Sequence, residues 1–186
     1  MRTKILFALA VLTGGLMGAS MTRAEGDDRA RFFVQPGVLI VMGGKDFKDT
    51  PGVSIASGVA FAKHHSLELE VILFDRDSVV RSNRMDLRYY IGLLTYKYAF
   101  RFRHGISVFA GGSLGNVREE VPVWGVSRPD GNIDSAFAYG PSGGVSYSLN
   151  RCIHFEVGGK LIGKGKTRFT TSGGISMVQG AVRFQF

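Results

Sequence analysis

Cysteine is nearly absent: the 186 residues hold one, Cys152, which excludes a disulfide-stapled scaffold and a four-cysteine zinc site. Proline numbers only five beside 26 glycines, so neither a collagen-like repeat nor a proline-rich disordered chain fits. No apolar run beyond the first residues approaches the ~20 residues of a spanning helix. Nor does any segment keep the 3.6-residue apolar period of an amphipathic helix. What remains is 45% hydrophobic and 20% charged, too apolar for disorder and long enough for one domain with its own core.

The first residues read as an export signal. Arg2 and Lys4 precede the uncharged stretch Ile5 to Gly18, and Thr22-Arg23-Ala24 offers small residues ahead of the acidic Glu25-Gly26-Asp27-Asp28. A basic start, a short apolar run and a small-residue cleavage site define a secretory leader, expected over residues 1–24. No cysteine follows the apolar run, which excludes a lipoprotein anchor. Removing 1–24 takes away three bases and leaves 20 basic and 15 acidic side chains, a net of +5.

The mature chain, 25–186, alternates with period two. Leu67, Leu69, Val71 and Leu73 share one face against Ser66, Glu68 and Glu70. Leu87, Tyr89, Ile91 and Leu93 oppose Asp86, Arg88, Tyr90 and Gly92. Ile153, Phe155 and Val157 oppose His154, Glu156, Gly158 and Lys160. One greasy face and one mixed polar face is the signature of a pleated strand. Eight such segments are expected near 31–42, 52–63, 66–75, 85–99, 105–116, 134–149, 152–163 and 174–186. Short turns alternate with long connections at 43–51, 76–84, 117–133 and 164–173. That pattern predicts an all-β, eight-stranded antiparallel up-and-down barrel.

A soluble barrel turns its apolar face inward, whereas a membrane barrel turns it outward around a polar interior. The polar face here is sparse, of both signs and rich in glycine. Glu68, Glu70, Asp86 and Arg88, with His154, Glu156, Lys160 and Arg183, are expected to form a paired network inside the tube, since a buried charge needs a partner. Phe33, Leu39, Phe74, Tyr90, Leu94 and Phe109 are expected on the same inner face. Glycines 111, 112 and 115 on the fifth strand and 140, 143 and 144 on the sixth suit close approach and strong curvature.

The last strand carries Val178, Gly180, Val182, Phe184 and Phe186 on one face. Val182-x-Phe184-x-Phe186 resembles the terminal signature of bacterial outer-membrane barrels, which their assembly machinery reads. With Ser66-Leu67-Glu68-Leu69-Glu70 and the run Val108 to Gly115, the mature chain resembles the small eight-stranded outer-membrane β-barrel family, which includes opacity-type surface antigens and OmpA-like transmembrane domains. The resemblance covers residues 30–186 and rests on strand order and the terminal Phe. It implies a Gram-negative outer-membrane location and contact with membrane lipid and lipopolysaccharide. It also implies Val182, Phe184 and Phe186 as an assembly signal. No peptidoglycan-binding domain is expected after Phe186.

Several functions compete on this scaffold. Eight strands enclose a lumen that side chains fill, which argues against a diffusion pore and leaves a narrow or gated one as an alternative. A lipid-A-modifying enzyme would need a serine, a histidine base and an orienting acid. His64-His65-Ser66 and His154 with Ser146 or Ser148 are the candidates, and each has an ordinary structural explanation, so no catalytic, cofactor or metal residue is assigned. Scattered cations on an exported chain do not suit nucleic acid. Arg101, Arg103 and His104 at a periplasmic turn, and Lys164, Lys166 and Arg168 in an outer loop, suit a solvated rim or contact with lipid phosphates. The longest connection, Asn116 to Asp134, holds Glu119, Glu120, Trp124 and Arg128. Long loops on rigid scaffolds carry binding, so these four residues are the expected recognition surface for a host or envelope ligand. Structural support or surface interaction is therefore the expected role.

Overall fold

Alternating side chains, valine, isoleucine, aromatics and short polar turns build a barrel in the computed structural model, which describes residues 30–42, 49–80, 83–121, 133–167, 170 and 173–186 and, within strands, no side chain of 76–86. The strands are β1 (Arg31–Met42), β2 (Thr50–Phe61), β3 (His65–Val80), β4 (Asn83–Arg101), β5 (Ile106–Glu120), β6 (Ile133–Ser148), β7 (Ile153–Lys164) and β8 (Gly173–Gln185). Each pairs antiparallel with its sequence neighbours, and β8 closes on β1 through pairs such as Gly37 with Ala181 and Val34 with Phe184. Closure leaves no unpaired strand edge.

β3 and β4 run longer than the sequence suggests. Their ladder continues to Val80 opposite Asn83, so most of the connection expected at 76–84 is strand. Beyond the apolar band both faces of a hairpin meet water, and the alternation that marks a strand disappears. β5 likewise extends through Glu120, which pairs with Arg88.

The outer wall is apolar. Val38, Leu69, Phe137 and Val157 are each at least 60% exposed, with Ile40, Leu114 and Leu161 also above half. Such a contiguous surface is untenable in water and is what lipid requires of a barrel. The inner wall is filled: Phe33, Ile72, Leu87 and Ile91 are completely buried.

The orientation of β4 corrects the sequence expectation. Leu87, Tyr89, Ile91 and Leu93 point into the lumen, while Arg88, Leu94 and Tyr96 are exposed outside. Alternation groups residues into two faces without saying which is which, and both faces of β4 are largely apolar. Register decides it: Ile91 pairs with Ile72 and Tyr89 with Phe74, and paired residues share a face. Leu94 and the half-buried Tyr90 are therefore not on the inner face, whereas Phe33, Leu39, Phe74 and Phe109 are buried there.

Candidate functional site: the lumen and its two ends

Four layers stack along the barrel axis. At the short-turn end lies an open vestibule, then an ionic layer, then an apolar plug, and finally a smaller ionic cap at the long-connection end.

The ionic layer centres on two acids and two bases. Lys97 Nζ lies 2.9 Å from Glu68 Oε2 and 3.2 Å from Glu156 Oε2, and Arg183 Nη2 lies 2.6 Å from Glu68 Oε1 and 2.8 Å from Glu156 Oε1. Gln35 closes the ring by donating to Glu156 at 3.1 Å and accepting from Arg183 Nε at 3.0 Å. Aromatic faces complete the enclosure: Arg183 lies 4.1 Å from the Phe33 ring centre and Lys97 4.7 Å from that of Phe109. Next to this ring Lys160 bonds Glu70, which also accepts from Gln179 at 2.9 Å. Opposite charges balance in each group, the condition under which burial is tolerated.

Glycine makes room for this arrangement. A Cβ on Gly144 would lie 2.7 Å from the Phe109 ring and 2.3 Å from the Val157 carbonyl oxygen, far inside van der Waals contact. Phe109 therefore lies over a bare stretch of wall.

The plug is built around Ile72, Phe74, Leu87, Tyr89, Ile91 and Leu93, with Phe74 and Tyr89 stacked at 4.8 Å. Within the ionic layer a void of about 10 Å³ remains among Gln35, Lys97, Glu156 and Lys160, the space of a single water. The packed plug and the paired charges fill the described lumen between the two ends.

The cap explains a second difference from the sequence reading. Glu119 was expected in the recognition loop, but it is fully buried at the end of β5. Its carboxylate accepts from Lys164 Nζ at 2.6 Å, from Thr170 Oγ1 at 2.8 Å and from Thr167 Oγ1. One buried acid thus ties Lys164, Thr167 and Thr170 to the barrel mouth. Glu120 is half-buried at the strand end, and Trp124 and Arg128 lie outside the described residues.

Among the expected network residues, Glu68, Glu70, Glu156, Lys160 and Arg183 meet in the ionic layer. Arg88 does not: it sits on the outer wall, 2.9 Å from Asp75. Asp86 lies in β4, and its side chain is outside the description. His154 is on the lumenal face but bonds Ser148 Oγ at 2.8 Å instead of joining the ring. The β4 base is Lys97, missed in the sequence although it shares the phase of Leu87 to Leu93. Gln35 and Gln179 were missed too, because a lone polar residue in a strand does not announce its partner. Lys164, expected at a solvated outer rim, is instead buried at the end of β7 against Glu119.

The Ser148–His154 pair is not a hydrolytic triad. His154 Nε2 is buried with no hydrogen-bond partner, whereas a triad needs an acid on that second nitrogen. The nearby Glu156 is engaged by Lys97, Arg183 and Gln35. His64 and His65 serve the turn: His64 Nδ1 lies 2.8 Å from the Ala99 carbonyl oxygen and His65 Nδ1 2.6 Å from Tyr96 Oη. Their rings pack with Tyr98, as in an interfacial aromatic girdle. Among the described residues no three His, Cys, Asp or Glu gather as a metal site. At the C-terminus, Phe184 and Phe186 are exposed on the outer wall, and Phe186 N donates to Phe32 O at 2.8 Å.

No protein-family model and no curated protein matches the chain. Solved structures do match. Neisserial surface protein A superposes with a TM-score of 0.72 at 16% identity, over 86% of this chain and 100% of that one. Ail, the attachment invasion locus protein of Yersinia pestis, gives 0.55 at 11% identity over 87% and 100%. The outer membrane protein OprG from Pseudomonas aeruginosa gives 0.55 at 11% over 88% and 99%. The chain has the fold of the small eight-stranded outer-membrane β-barrels. Identities this low carry the fold and nothing finer. In that fold, the apolar wall of Val38, Leu69, Phe137 and Val157 is the surface that meets lipid.

Proposed function

We propose that this chain is an outer-membrane barrel of a Gram-negative envelope, exported by residues 1–24, whose role is envelope support or surface interaction. The sealed lumen carries this reading. A tube closed by a packed plug and by neutralised charge acts through its surfaces, and the connections at the long-loop end are the surfaces a rigid barrel offers to the outside. Membrane lipid and lipopolysaccharide surround the wall. The outward row of Val182, Phe184 and Phe186 serves as the signal for the barrel-assembly machinery, and a host or envelope ligand would meet the external connections.

Because Glu119 is structural, the recognition segment shrinks to the part of the connection beyond Val121, with Trp124 and Arg128 as its contact residues. Replacing 122–131 with a Gly/Ser linker is expected to leave a folded, surface-accessible barrel and to abolish binding of expressing cells to host-cell or matrix surfaces. Unchanged binding sinks the loop reading. Mass spectrometry of lipid A from cells with and without the gene separates the enzymatic alternative, for which a changed acyl pattern is the expected sign.

A further inference from the structure

The short-turn end of the barrel opens into a cavity of about 920 Å³ whose lining includes Arg31, Lys63, Arg101, Arg151 and Arg183 against a single acid, Glu156. That acid lies deep and is already shared by Lys97 and Arg183. Arg31, Arg101 and Arg151 pair with no carboxylate among the described residues.

The placement of these cations follows from strand parity. Arg101 is in phase with the buried Leu93, Thr95 and Lys97 of β4, and Arg31 is in phase with the buried Phe33 and Gln35 of β1. Residues two apart share a face, so both side chains belong to the lumenal wall, not the lipid-facing one. Lys63 and Arg151 reach the same cavity from the turns after β2 and β6. The cations thus converge from separate elements around one opening, unlike basic residues that snorkel outward to a membrane interface. Ser107, Ser146 and Ser148 add hydroxyls to the lining.

We infer that this vestibule binds a phosphate-bearing anion on the periplasmic side. Short turns of an outer-membrane barrel face the periplasm and longer loops the outside, which sets the side of this mouth. Arginine forks match phosphate oxygens in pairs, and serine hydroxyls supply further donors. The phosphate comes either from the headgroup of an anionic phospholipid folded over the rim or from a soluble phosphorylated solute. The site is separate from the external surface of the proposed function and stands or falls independently of it.

The test uses the full mature chain in phosphatidylcholine nanodiscs, titrated calorimetrically with pyrophosphate at low salt. One saturable site is expected, weakened about tenfold or more in R101Q/R151Q, as removal of two charge-assisted contacts implies. K166Q, which alters a cation at the opposite end, should bind as wild type, and heat-modifiable gel mobility verifies that each variant is folded. In a second arm, native mass spectrometry of chain extracted from phosphatidylglycerol nanodiscs reads retained lipid. Retention by wild type but not by R101Q/R151Q identifies the headgroup as the source, and pyrophosphate binding without retention identifies a solute. Absence of binding in both arms, or equal binding by wild type and R101Q/R151Q, overturns the inference.

Discussion

Lys63 and the preceding Ala62 hold left-handed backbone conformations, with φ of 61° and 45°, where a side chain costs about 1 kcal/mol relative to glycine. A62G is expected to stabilise the barrel by roughly 0.5–1 kcal/mol, read as a shift in the midpoint of reversible unfolding in lipid. A destabilised A62G would mean that the alanine methyl group is needed to hold the turn. The Glu70–Lys160 pair tests a different residue-scale idea. K160M leaves Glu70 buried with only neutral donors and should cost roughly 3–5 kcal/mol, whereas E70L/K160M should return close to wild type. Additive losses in the double variant would contradict pairing as the reason these charges are tolerated. Gly144→Val is the steric counterpart: the side chain would enter the space of Phe109 and the Val157 carbonyl, and the heat-modifiable folded band should be lost.

At the scale of elements, Glu119 binds the segment after β7 to the end of β5. E119A removes the acceptor shared by Lys164, Thr167 and Thr170. Trypsin should then cleave after Lys166 at least several-fold faster, with the barrel core still protected; unchanged cleavage would show that the segment is held by other means. The existence and order of the strands were legible because alternation is local. β1, with its Leu39 and Val41 inside and Val38 and Ile40 outside, could be read almost residue by residue. The face of β4 was not legible, since Leu87 to Leu93 and Tyr90 to Tyr96 are both apolar rows and only pairing with β3 distinguishes them. The ends of β3 and β5 escaped for a related reason: past the apolar band the hydrophobic pattern stops while the hydrogen-bonded ladder continues.

For the molecule as a whole, the stacked plug and ionic layers predict that the reconstituted chain conducts no more than background in planar bilayers, in contrast to a porin of 16 or more strands. Stable unit conductance would require the plug around Phe74 and Tyr89 to move. The layering also assigns different tasks to the two ends. A basic, open mouth faces the short turns, and the opposite end carries the buried Glu119 with Lys164, Thr167 and Thr170. Charge is neutralised group by group inside, so the excess positive charge of the chain is left to the rims.

Local periodicity and the aromatic last strand by themselves determined an eight-stranded barrel, because each depends only on neighbours within a few residues. Which side of β4 faces the lumen, that Lys97 and not Arg88 meets Glu68 and Glu156, and that Glu119 is a buried anchor were decided only by the tertiary structure. These depend on register and closure, which bring together residues such as Glu68 and Arg183, separated by 115 positions. The converging cations of the vestibule belong to the same class: they are scattered along the chain and become one site only when the sheet closes.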